Sequence, residues 1–132
     1  MRFETTIDVR YRDIDAMGHV NNAVYASYLE QARIDYFRDL LGVDLSAVGA
    51  VLATLSIDYE KPLELADGEV TVSLDVPEIG TSSLPMEYEL VRPDGERVAT
   101  AETVQVAFDK EEQAPTAIPA EWREAIESYH DL

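Results

Sequence analysis

The sequence predicts an α+β fold: a five-stranded antiparallel sheet wrapped around one long helix, in the chain order β-α-β-β-β-β. Three observations predict it. A stretch of strict apolar alternation opens the chain, and one helical repeat with a wide apolar face follows it. After that come four more alternating runs joined by short turns. Strands linked so closely pair antiparallel, and a helix with one broad apolar stripe must bury it against them.

The first strand covers residues 2–12. Phe3, Thr5, Ile7, Val9 and Tyr11 fall on one face and Arg2, Glu4, Thr6, Asp8 and Arg10 on the other. In the helix, Tyr25, Leu29, Ala32, Tyr36 and Leu40 recur at three- and four-residue steps, which predicts a span of about Ala23–Leu41. Asn21 or Asn22 suits its N-cap and Gly42 its C-terminal stop. The later strands are marked by Val51, Ala53, Leu55, Ile57 and Tyr59; by Val70, Val72, Leu74 and Val76; and by Leu84, Met86, Tyr88 and Leu90. The last is marked by Val98, Thr100, Glu102, Val104, Val106 and Phe108. Arg92-Pro93-Asp94-Gly95 is a hairpin signal between the last two. Residues 110–132 read as a linker with Pro115 and Pro119, then a short peripheral helix at Glu121–Tyr129. One domain over 1–132, with its core at about 3–109, fits the length.

Composition narrows the function. There is no cysteine, which removes disulfide scaffolds, thiolate nucleophiles and cysteine-based zinc sites. The start, MRFETTIDVR, lacks the apolar core of a signal peptide, and the longest apolar run, about Ala47–Leu55, is too short to span a membrane. A cytoplasmic protein is expected. Net charge is −17, from 27 acidic against 10 basic residues, so nucleic acid and anionic lipid surfaces would be repelled. The acids are dispersed rather than gathered in a tail, which suggests adaptation to a salty solvent. One sheet and one helix leave sheet edges and a sheet face to cover, so a homodimer or homotetramer is expected.

Between the first strand and the helix stands RDIDAMGHVNNAVY, residues 12–25. Two aspartates, a histidine, a glycine and an Asn-Asn pair crowd into a loop that ends at a helix N-terminus. The sequence Asp13-x-Asp15-x-x-Gly18-His19-Val20-Asn21-Asn22-x-x-Tyr25, then Glu30-x-Ala32-Arg33, resembles the hotdog-fold acyl-CoA thioesterases of the 4-hydroxybenzoyl-CoA thioesterase type. Gly80-Thr-Ser-Ser-Leu84, followed by the Pro-Asp-Gly turn, also looks like that family. The resemblance implies a hotdog fold, dimers or tetramers and an acyl-CoA substrate; no cofactor is expected. Although Asp13, Asp15 and His19 are suitable metal ligands, they lack any known metal-loop spacing, so no metal is expected. It places the catalytic carboxylate on Asp15 and the carbonyl-polarising backbone N–H near Asn22. Substrate contacts fall on His19, Tyr25, Glu30, Ser82 and Ser83. The stretch GHVNN departs from the hydroxybenzoyl-specific pattern and leans towards long-chain or general acyl branches.

The chemistry agrees with the residue types. A thioester is an activated acyl group whose thiol, with a pKa near about 8.5 as judged from cysteine, leaves without strong acid help. A carboxylate can attack the carbonyl or activate water, and free N–H groups at a helix start can hold the oxyanion. Bland readings stand beside these. Asp15 can make an Asx-turn, and Asp13 can tie the loop through backbone amides. His19 can bond Asp15, position water or simply pack. Tyr25 fits a core position. Glu30 and Arg33, three apart, can form an ion pair or leave Glu30 facing substrate. Ser82 and Ser83 suit a turn, or a place near the pantetheine or a neighbouring site. Acyl-carrier-protein thioesters, or binding without hydrolysis, are the alternatives to acyl-CoA hydrolysis.

Overall fold

The computed structural model describes residues 2–44 and 49–132. Ala47 and Val48 of the apolar run lie outside them. The elements are β1 (Phe3–Asp8), a 3-10 turn (Tyr11–Asp13), α1 (Val24–Tyr36) with a π-helical last turn (Phe37–Leu41), and β2 (Ala50–Tyr59). They continue with β3 (Glu69–Asp75), β4 (Ser83–Val91), β5 (Arg97–Asp109), β6 (Ala114–Pro115) and α2 (Ala120–His130). The sheet is antiparallel in the order β1-β3-β4-β5-β2, with β6 on β5. Both α+β class and hotdog arrangement are as the sequence predicts. Among the described residues no helix is long and apolar enough to cross a membrane.

The helix lies on the sheet through Leu29, Ala32 and Tyr36, all fully buried, and the sheet answers with Val70, Val72, Leu74, Met86 and Leu90. Gly42 ends the helical segment at φ +68°, a backbone that costs glycine nothing. Neither Asn21 nor Asn22 caps α1: the N-cap position is Ala23, without a side-chain cap, and Asn21 Oδ1 instead accepts the Ala23 N–H at 2.9 Å in the turn that leads into the helix.

Several expectations require correction. β1 ends at Asp8, because Asp13 Oδ2 accepts the Arg10 N–H at 2.9 Å and closes a 3-10 turn. Tyr11 therefore points outward, 82% exposed, instead of joining the inner face. In β5 the buried residues are Val98, Ala99, Ala101, Thr103, Gln105 and Ala107. A register shift between Leu90 and Val91, opposite Val98, inverts the alternation, so Val104, Val106 and Phe108 face outward. A second shift between Leu52 and Thr54 splits the run expected in β2, leaving Val51 on the face opposite to Leu55, Ile57 and Tyr59. The linker contributes β6. Helix α2 is not peripheral: Ile126 is fully buried, Trp122 packs edge-on against Phe37, and His130 Nε2 and the Tyr36 hydroxyl lie 2.8 Å apart.

Candidate functional site

The loop of residues 13–21 is closed at both ends. Asn21 N–H donates to the Asp13 carbonyl at 2.8 Å, and Val20 N–H donates to the Leu63 carbonyl at 2.7 Å. Inside it, Asp15 N–H donates to the His19 carbonyl at 2.8 Å and Gly18 N–H to the Asp15 carbonyl at 3.1 Å. Gly18 sits at φ +82°, where a side chain would be strained. Asp13 is an anchor: its Oδ2 accepts the Tyr28 hydroxyl at 2.8 Å as well as the Arg10 N–H. Burial and that carboxylate push the Tyr28 phenol up.

Asp15 is half-buried. Its Oδ1 accepts the Met17 N–H at 2.9 Å and the His19 N–H at 3.4 Å, so the Asx-turn geometry is present. Its Oδ2 has no hydrogen-bond partner among the described residues. The turn thus fixes the carboxylate by one oxygen and leaves the other uncommitted. His19 meets Asp15 through its main chain, not its ring.

At the helix start, the Ala23 N–H goes to Asn21 Oδ1 and the Val24 N–H to the Asn21 carbonyl. The Asn22 N–H has no partner among the described residues. It stands where the helix presents its positive end. On the far side of that residue, the Asn22 carbonyl accepts the Tyr59 hydroxyl at 2.7 Å. In the sequence, Tyr59 is marked only as the end of an apolar run, because the contact joins residues 37 apart in the chain. Its ring stands edge-on to Tyr25 at 5.0 Å between centroids. Burial, with Tyr59 and Asp67 nearby, pushes the Tyr25 phenol up. His19, Asn22, Tyr25, Tyr59, Lys61 and Pro62 line a cavity of about 280 Å³. Tyr59→Phe is expected to lower stability by about 0.5–1 kcal/mol, read from denaturant midpoints at unchanged slope.

Glu30 and the serines lie elsewhere. Glu30 is exposed and lines a different groove, of about 610 Å³, beside β1. It is not paired with Arg33. Arg33 is 4% exposed beneath the helix, where Nη1 donates to the Tyr88 hydroxyl at 3.4 Å. With its amide oriented to satisfy both ends, Gln105 accepts from Arg33 Nε at 2.9 Å. Of the two readings for Glu30, the ion pair is absent: Arg33 is drawn beneath the helix to Tyr88 and Gln105, while Glu30 stays exposed. Ser83 pairs with Val106, which pairs with Val51, while Tyr59 pairs with Ala99. Seven residues of β5 separate the two ends, about 24 Å. Within one chain, Ser82 and Ser83 are therefore not part of the Asp15–Asn22 site.

The Thioesterase-like superfamily model matches residues 9–126. The chain belongs to that family. This thioesterase-like protein is 30% identical over 128 residues to the long-chain acyl-CoA thioesterase FadM of Escherichia coli K12, covering 94% of this chain and 96% of FadM. It is 31% identical to the acyl-CoA thioesterase YbgC of Haemophilus influenzae, covering 94% and 93%. Among solved structures, a thioesterase from Thermus thermophilus complexed with coenzyme A and zinc shares 36% identity. That match has a TM-score of 0.87 and covers 98% of this chain and 94% of the other. Among the described residues, no group of three or more His, Cys, Asp or Glu side chains could hold a metal ion.

Proposed function

We propose that the protein is an acyl-CoA thioesterase, releasing a free acid and CoA, with Asp15 as general base or nucleophile and the Asn22 N–H as oxyanion donor. The observation that carries the reading is an uncommitted carboxylate oxygen on the closed loop of residues 13–21 together with an unpartnered N–H at Asn22, the next residue, ahead of α1. As a base, Asp15 takes a proton from water while the water oxygen attacks the carbonyl carbon. The oxyanion then rests on the Asn22 N–H. Collapse expels the thiolate, and the proton held by Asp15 neutralises the products. As a nucleophile, the Asp15 oxygen forms a mixed anhydride and expels the thiolate first; water then cleaves the anhydride. A single turnover in ¹⁸O-water separates the routes, since only the second can leave label in the protein.

The name of FadM, a long-chain acyl-CoA thioesterase, supports an aliphatic acyl group, in line with the GHVNN stretch. A panel of acyl-CoA and acyl-carrier-protein thioesters, assayed for released thiol, tests the reading. Thiol release from at least one aliphatic acyl-CoA is expected. Release from none of them would leave binding without hydrolysis as the function.

A two-fold homodimer is part of the proposal. Strand β2 is an open sheet edge with Val51, Leu52, Leu55 and Tyr59 all 40% or more exposed. Antiparallel pairing of β2 with itself would set the Tyr59 end of one copy beside the Val51 end of the other. The Ser82–Ser83 region of the second copy would then approach the Asp15–Asn22 loop of the first. That geometry gives the serines a place at the site which a single chain denies them.

Adaptation to salt is likewise proposed from the charge of −17. At about 0.1 M salt the dispersed acids repel one another over a Debye length of about 10 Å, which shrinks to about 3 Å at 1 M. The melting temperature is expected to rise with KCl between about 0.1 and 1 M. A variant with several exposed Glu changed to Gln should need less salt. An equal salt response in parent and variant would assign the effect to salt exclusion from the surface instead.

A further inference from the structure

A CoA substrate carries several phosphate charges, and this surface is strongly acidic. Some part of the chain must offer those phosphates a favourable contact. Six of the ten basic side chains cannot do so freely, because carboxylates already hold them: Arg2 by Glu89, Arg38 by Asp35 and Asp39, and Lys61 by Glu96. The others are Arg92 by Asp94, Arg97 by Glu60 and Glu89, and Arg123 by Glu127. Arg33 is buried under the helix. Among the described residues this leaves Arg10, Arg12 and Lys110 exposed and without an ion pair.

Arg10 and Arg12 lie together. Both line the groove of about 610 Å³, a volume in the range of ligand sites. Carboxylates share that groove, but two of them are already engaged. Asp13 holds Tyr28 and the Arg10 N–H, and Asp35 holds Thr5 at 2.7 Å, Gln31 at 3.0 Å and Arg38 at 3.1 Å. Asp8 and Glu30 line it too, so four carboxylates stand against two guanidiniums, a formal charge of −2, and Arg10 and Arg12 are the only cations among the lining residues.

Between the arginines stands Tyr11, 82% exposed and making no ring contact with any described residue. An exposed aromatic ring next in sequence to two unpaired arginines offers a nucleotide bidentate hydrogen bonds to phosphate and a platform for the base. The turn also leads into the catalytic loop. Arg10 and Asp15 are five residues apart, at most about 18 Å between Cα atoms. The turn follows β1, at the opposite sheet edge from β2, so pairing along β2 leaves it open.

We propose that the Arg10-Tyr11-Arg12 turn is the docking point for the nucleotide end of coenzyme A, the arginines taking phosphate and Tyr11 stacking on adenine. This rests on the reading that the substrate is a CoA thioester. In this arrangement the pantetheine arm runs from the turn to Asp15, and the nucleotide sets affinity without entering the chemistry.

The test compares the wild type with R10Q/R12Q and with Y11A, using CoA, 3′-dephospho-CoA, ADP and pantetheine as ligands in calorimetry. An acyl-CoA and the matching acyl-pantetheine serve as substrates. R10Q/R12Q is expected to weaken CoA binding and raise KM for acyl-CoA by about tenfold or more, with kcat within about twofold. Acyl-pantetheine, which has no nucleotide, should be hydrolysed by wild type and variant alike. Y11A should weaken CoA and ADP and leave pantetheine unaffected. K110Q, a charge change away from the groove, should alter none of these. Equal CoA affinity in wild type and R10Q/R12Q overturns the proposal. So does an equal loss on both substrates, or a K110Q effect as large as that of R10Q/R12Q. If the wild type binds CoA through this turn and hydrolyses nothing, the catalytic reading falls and the docking site stands.

Discussion

Replacing Asp15 by Asn is expected to lower turnover of the best acyl-CoA by at least about 10²-fold, the low end for loss of a general base. The amide keeps the shape of the carboxylate, and its oxygen can still accept the Met17 N–H that orients the turn at 2.9 Å. The loop is closed elsewhere, by Asn21 on Asp13 and Val20 on Leu63, so folding should survive. The loss should therefore appear in kcat, with KM and melting temperature little changed. Asp15→Ala, which removes the turn acceptor as well, should lose stability in addition. Hydrolysis by Asp15→Asn at the parent rate would assign Asp15 to the Asx-turn alone and move the chemistry elsewhere.

Leu55→Lys on the open β2 edge is expected to convert a dimer to a monomer and to remove activity with it. Leu55 is 40% exposed in the single chain, and a lysine on a sheet edge is a device by which natural proteins prevent edge pairing. Loss of one well-buried interface side chain weakens association by about 2 kcal/mol or more, roughly 30-fold in Kd. Light scattering should read twice the chain mass of 14.7 kDa for the parent and the chain mass for the variant. Activity should return as protein concentration is raised, because the proposed composite site would form only when the two copies meet. A parent that is monomeric while turning over substrate would defeat this prediction. A monomeric Leu55→Lys variant with full activity would keep the dimer and reject the shared site.

The sequence by itself determined the class of fold, because strand and helix periods are local properties of the chain. Val70, Val72, Leu74 and Val76 could face only one way, and Tyr25, Leu29, Ala32 and Tyr36 could line only one side of a helix. It also marked the loop of residues 12–25, since no ordinary turn requires that combination of residues at that spacing. Whatever depends on contacts distant in sequence was decided by the tertiary structure. The bulges at Ala53 and Val98 invert two alternations, because register is a property of paired strands and not of one strand. Tyr59 reaches the Asn22 carbonyl only because β2 ends beside the start of α1. Arg33 is buried among Tyr88 and Gln105 rather than beside Glu30, because the sheet presents them to that side of the helix. Ion pairing also selects Arg10 and Arg12 from among the arginines, since an arginine's partner is set by where the chain folds and not by its neighbours in sequence.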